Sequence, residues 1–144
     1  MTYVRQHRLN PSSGTVMAKN SYSILYIEDN EANRQLIGLI LQHKKYLTYS
    51  SAEDGESGIK KAMNLLPDII LLDISLPDMD GHEVLARLRQ EPLTADIPVI
   101  AISGDFPLIY PDDAEYIFDN FIAKPVSIEP FFQTIDTLID LRLK

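Results

Sequence analysis

The sequence predicts an α/β domain built on a parallel sheet. Three observations carry that expectation. Short apolar runs alternate with amphipathic stretches about five times, at spacings of roughly 20–30 residues, which is the pattern of βαβ units. Ile69-Ile70-Leu71-Leu72 is an unbroken apolar run, suited to a strand buried on both faces. The strand candidates end in polar residues, and a parallel sheet collects such ends along one edge.

Taken in order, residues 1–21 show no periodicity and contain Pro11, Ser12, Ser13 and Gly14, so they read as a flexible N-terminal tail preceding a domain over 22–144. Residues 23–27 form the first strand, ending in Glu28-Asp29. Asn30 is placed to cap a helix over about 31–44, with Leu36, Ile37, Ile40 and Leu41 on one face and Lys44 and Lys45 suiting its negative end. Residues 47–50 make a weaker second strand. Asp54-Gly55 breaks the chain before a helix over about 56–66, whose stripe is Ile59, Met63 and Leu66 and which Pro67 stops. The third strand ends at Asp73, and Pro77 and Gly81 mark a loop after it. A third helix spans 81–90 with Val84, Leu85 and Leu88 inward. Residues 97–102 are the fourth strand, with Pro98 at its start because proline cannot donate to a ladder. Pro107 and Pro111 oppose a long helix over 105–119, leaving room for a short one at 112–118. Residues 120–123 are a fifth strand ending at Lys124-Pro125. Ser127 caps a last helix to about 143, with Ile128, Phe131, Phe132, Ile135, Leu138 and Ile139 buried.

The bulk numbers narrow the function classes. A chain of 144 residues suits one domain with a core of its own. It has no cysteine, which excludes disulfides and thiolate metal sites and is compatible with a cytoplasmic setting. No apolar run approaches the roughly 18–20 residues of a membrane span, and the N-terminus lacks the apolar core of a signal peptide. A net charge of −8 argues against direct binding to nucleic acid. That charge is uneven: residues 1–20 carry +3 and the remainder −11. No glycine-rich dinucleotide fingerprint or P-loop is present. His7, His43 and His82 lack metal-ligand spacing. Tyr22, Tyr26, Tyr46 and Tyr49 read as core or surface residues rather than a base-stacking platform.

The strand ends are more informative. They deliver Glu28 and Asp29, then Asp73, Ser103 and Lys124, to one edge. Three carboxylates in one cleft repel, and a hard divalent cation such as Mg²⁺ removes the conflict with oxygen ligands. Lys124 can pair with Asp73 or an incoming anion, and Ser103 can donate to a phosphoryl oxygen. An aspartate so surrounded is suited to attack on phosphorus, giving an aspartyl phosphate. Any one of these residues is commonplace at a strand terminus; the five together are not.

These residues and their neighbours resemble the receiver domain of two-component response regulators. The matching motifs are Glu28-Asp29-Asn30, Asp73 followed by Leu76-Pro77-Asp78-Met79-Asp80-Gly81, residues 97–103, and Phe121-Ile122-Ala123-Lys124-Pro125, so the likeness covers about 22–143. The resemblance implies a doubly wound, flavodoxin-like five-stranded sheet of order 2-1-3-4-5. It implies Asp73 as phosphoacceptor, and Mg²⁺ held by Asp29, Asp73 and the backbone carbonyl of Ser75, with Glu28 acting through water. It makes Ser103 the switch hydroxyl, Phe121 the switch aromatic, Lys124 the phosphate-contacting lysine, and Lys124–Pro125 a cis bond. Ser75 and Asp105 would flank the path of the hydrolytic water.

The family usually carries a regular helix between the fourth and fifth strands, with glycine where this chain has Ile117. Here that fourth helix is expected to be irregular or shortened. By the same resemblance the chain is a phosphorelay switch rather than an enzyme. A histidine kinase or histidine phosphotransfer protein would supply the phosphoryl group, and with no output domain read in the chain the readout would be protein–protein contact. Two alternatives stand beside this reading. A degenerate receiver would bind partners constitutively. A phosphohydrolase with Asp73 as nucleophile would need a second aspartate where Ser75 stands.

Overall fold

The computed structural model describes residues 20–105 and 108–143. Five parallel strands lie in the order β2-β1-β3-β4-β5, with β1 at Tyr22–Ile27, β2 at Leu47–Ala52, β3 at Ile69–Asp73, β4 at Val99–Ser103 and β5 at Asn120–Ala123. The helices are α1 (Glu31–Leu41), α2 (Gly55–Leu65), α3 (Gly81–Gln90) and α4 (Ile128–Leu138), the last running into a π-helical turn at Ile139–Leu143. The expected order 2-1-3-4-5 is the observed one.

Strand alternation sorts the core into two layers. Ile24, Tyr26, Ile69, Leu71, Ile100 and Ile102 pack with Ile37, Ile40 and Leu41 of α1 and Phe131 and Ile135 of α4. Leu25, Ile27, Ile70, Leu72, Val99 and Ala101 pack with Ile59 and Ala62 of α2 and Val84, Leu85 and Leu88 of α3. Every residue of β3 and β4 is buried, as continuous apolar runs in a covered parallel sheet require.

Side chains start three of the helices. Asn30 Oδ1 accepts from Asn33 N at 2.9 Å, Asp54 Oδ1 from Ser57 N at 2.8 Å, and Asp80 Oδ1 from His82 N at 2.7 Å. At the sheet's opposite edge, Asp119 joins three elements. Its Oδ2 accepts from Val99 N and Arg89 Nη2, both at 2.8 Å, and its Oδ1 from Arg142 Nη1 at 2.7 Å.

Several expectations need correction. α1 ends at Leu41, so Lys44 and Lys45 lie beyond it; the Lys44 ammonium instead sits 5.0 Å from the Phe132 ring centroid. Leu36 is 51% exposed, because the buried face of α1 centres on Ile37, Gly38, Ile40 and Leu41. Leu66 is no core residue: it closes α2 in the left-handed conformation at φ 47° and is exposed. Ile128, in the first turn of α4, is 59% exposed. Ser127 precedes α4 but makes no capping side-chain bond. The second strand runs two residues further than expected. No helix lies between β4 and β5 among the described residues, so even the short one at 112–118 is absent. Residues 1–19 of the expected tail, and residues 106 and 107, lie outside the described part.

Candidate functional site

The site forms where β1 and β3 end side by side, the point at which the chain winds to opposite faces of the sheet. Carboxylate oxygens of Glu28, Asp29 and Asp73 all lie within 4.8 Å of one another. Asp73 is 5% exposed and Glu28 1%, whereas Asp29 faces solvent. Lys124, from the turn after β5, reaches across. Its Nζ donates to Asp73 Oδ2 at 2.8 Å and to Glu28 Oε1 at 3.0 Å. Ser75 N donates to Asp73 Oδ1 at 2.9 Å.

Glu28 is the most heavily bonded of the three acids. Its Oε1 accepts from Tyr26 OH at 2.9 Å, Asn33 Nδ2 at 3.1 Å and Lys124 Nζ, and its Oε2 from Asn30 N at 3.2 Å. Burial pushes the Glu28 carboxyl up, but its hydrogen bonds outweigh that and hold it down at about 2. Asp73 moves the other way: burial and the adjoining Glu28 carboxylate raise it against the pull of Lys124 and Ser75 N–H. Burial opposes the charge on Lys124, yet its two carboxylate partners raise it above its usual value. Burial, with Glu28 beside it, also pushes the Tyr26 phenol up, so its hydroxyl stays a donor.

The loop after β3 is braced. Ser75 and Asp80 form an antiparallel bridge, and Gly81 N donates to Ile74 O at 2.9 Å. Gly81 is required there, since a Cβ would stand 2.8 Å from Ile74 Cα. Asp78 fastens the loop to α2: Oδ1 accepts from Gly55 N at 2.8 Å and Oδ2 from Glu56 N at 2.9 Å. Those two N–H groups hold the Asp78 carboxyl below its usual value.

The sequence-selected residues divide into two sets. Glu28, Asp29, Asp73 and Lys124 come together, Ser75 meets Asp73 through its backbone N–H, and Lys124–Pro125 is cis. Ser103 ends β4 buried, but its Oγ accepts from Asp105 N at 3.0 Å and does not meet Asp73. Phe121 is half-buried against the α2–α3 layer. Asp105 is exposed. Sequence reasoning missed Tyr26, Asn33 and Asp78 as supporting residues. The strand period offers a signal for the first, since Tyr26 and Glu28 are two apart and share a face.

The donor set fits a hard divalent cation. All three side chains offer oxygen, with no sulfur or imidazole in the cluster.

The receiver domain of response regulators, as a family model, matches residues 24–136. The chain belongs to this family of phosphorelay signalling domains. It is 35% identical over 126 residues to the response regulator PleD of Caulobacter vibrioides, covering 85% of this chain and 27% of that one. It is 32% identical over 117 residues to the response regulator ArlR of Staphylococcus haemolyticus, covering 81% and 52%. The chain thus spans about a quarter to a half of the length of these two relatives. Chemotaxis response regulator CheY4 of Vibrio cholerae superposes with a TM-score of 0.71 at 20% identity, covering 82% of this chain and 98% of that chain. The receiver domain of sensor histidine kinase PA1611 from Pseudomonas aeruginosa, solved with a magnesium ion in its active site cleft, superposes with a TM-score of 0.73 at 23% identity, covering 83% and 98%. No helix among the described residues is long and apolar enough to cross a membrane.

Proposed function

We propose that Asp73 accepts a phosphoryl group from the phosphohistidine of a histidine kinase or histidine phosphotransfer protein. One observation carries this: a buried aspartate whose carboxylate meets a lysine ammonium at 2.8 Å beside two further carboxylates. A carboxylate oxygen of Asp73 attacks phosphorus; the P–N bond to the donor imidazole breaks and its electron pair returns to nitrogen. Lys124 neutralises charge on the transferred group. Asp29 and Asp73, with the Ser75 carbonyl, would hold Mg²⁺, and Glu28 would act on it at one remove. Bound there, Mg²⁺ would supply further charge neutralisation. The magnesium in the PA1611 receiver supports the choice of metal.

The Ser103 hydroxyl accepts a hydrogen bond from Asp105 N and keeps its own proton to donate. Phosphorylation would draw it toward the new phosphoryl oxygens, and half-buried Phe121 would turn inward behind it. The domain is the substrate of this transfer, not a turnover enzyme. It works in the cytoplasm and signals through protein contacts rather than direct nucleic-acid binding.

The test is a titration with beryllofluoride and Mg²⁺ followed by amide NMR shifts, on wild type and Asp73→Asn. Shifts at Asp73, Ser103 and Phe121 in wild type, lost in the mutant, are expected. A wild type that Mg²⁺ and beryllofluoride leave unperturbed would overturn the proposal.

A further inference from the structure

Tyr26 is the one polar side chain in the buried run of β1 from Ile24 to Ile27, and it is 1% exposed. A phenylalanine ring would fill the same place. The hydroxyl adds a desolvation cost unless it is bonded, and it is spent on Glu28 Oε1 at 2.9 Å. Asn33 Nδ2 reaches that oxygen from α1 at 3.1 Å, and Lys124 Nζ from beyond β5 at 3.0 Å. Three donors therefore share one oxygen, and each weakens its hold on the others. The ammonium stays suspended between Glu28 and Asp73, nearer to Asp73 by 0.2 Å.

We propose that Tyr26 and Asn33 are positioning residues for phosphoryl transfer: by occupying Glu28 Oε1, they keep Lys124 shared with Asp73. This rests on the reading of Asp73 as phosphoacceptor. Removing either donor leaves Glu28 Oε1 a stronger acceptor for the ammonium. Lys124 then settles on Glu28 and withdraws from Asp73, where charge must be neutralised as the phosphoryl group arrives. Neither residue touches the reacting atoms; both act through Glu28 on Lys124.

The test uses Tyr26→Phe and Asn33→Ala, each alone and combined with Lys124→Ala. Asn33 is on the half-buried side of α1, so its variant checks the idea if the core change upsets folding. The first readout is the rate of phosphorylation by acetyl phosphate with saturating Mg²⁺. Each single variant is expected to slow it by about fivefold, the scale of coupling between residues in one hydrogen-bond network. In the Lys124→Ala background neither is expected to slow it further. The second readout needs no metal: the side-chain carboxyl ¹³C shift of Asp73 moves in both single variants. Equal slowing with and without Lys124, or an unmoved Asp73 signal, would show Tyr26 and Asn33 to be merely structural. If the wild type itself takes no phosphoryl group, the phosphoacceptor reading fails instead, and the metal-free spectra still decide whether Tyr26 and Asn33 place Lys124.

Discussion

The loop that follows β3 and the segment that follows β4 both leave central strands at the same edge, yet they are held in opposite ways. After β3, polar side chains and backbone fix nearly each step. Asp73 receives Ser75 N–H, Ser75 bridges to Asp80, and Asp78 grips two N–H groups at the start of α2. After β4, residues 108–118 are mostly exposed and rest on aromatic contact. Phe118 is buried with its ring 5.4 Å from His82, Tyr110 packs 5.0 Å from His82, and Tyr110 OH accepts from Phe118 N at 3.2 Å. Directional bonds set atoms to within tenths of an ångström, as a reacting site needs. A packed ring holds a segment down without dictating its path.

If the second region hangs on one ring, Phe118→Ala is the change that breaks it. The loss expected is about 3 kcal/mol of stability in urea unfolding, from buried area and the cavity left behind. A loss below about 1 kcal/mol would mean that the segment has other anchors.

Asp78→Ala tests the first region. It removes a capping carboxylate from α2 and should cost about 1 kcal/mol, with a weaker Mg²⁺ titration because the Ser75 backbone loses its brace. The effect carries a pH signature. The folded Asp78 is held below its ordinary value of 3.8, so its contribution is complete above that pH. It is lost as the pH falls through the lower folded value, where wild type and variant converge. A difference between them that persists unchanged in acid would contradict the assignment.

The smallest effect belongs to Ile117, which is 71% exposed. Ile117→Ser is expected to alter stability by less than about 0.5 kcal/mol while leaving the beryllofluoride response at Asp73 intact. A larger change would place Ile117 among the structural residues and blur the contrast between the two regions.

Much of the first region was legible in the sequence. Strand-end residues in a parallel sheet must share an edge, so Glu28, Asp29, Asp73 and Lys124 could be placed together from their positions alone. What could not be read is long-range polar support. Asp78 meets α2 across more than twenty residues, a pairing that no local pattern announces. Helix faces were legible to within one side chain. Leu36 and Ile128 carry the right spacing but lie at the margin of their stripes, where the neighbouring element decides burial. In the second region the prolines signal an irregular path, but not the contacts of Tyr110 and Phe118 with His82, which spacing does not encode.

Asp119 gives this contrast an evolutionary reach. It ties the start of β5 to the start of β4 through Val99 N, with Arg89 and Arg142 closing the knot. The start of the fifth strand is therefore held by bonds that do not pass through residues 108–117. Lineages can lengthen, shorten or rewrite residues 108–117 while β5 still delivers Lys124 to Asp73. Selection can thus remodel this stretch of surface at little cost to the chemistry, so sequences descended from a common ancestor should diverge here first.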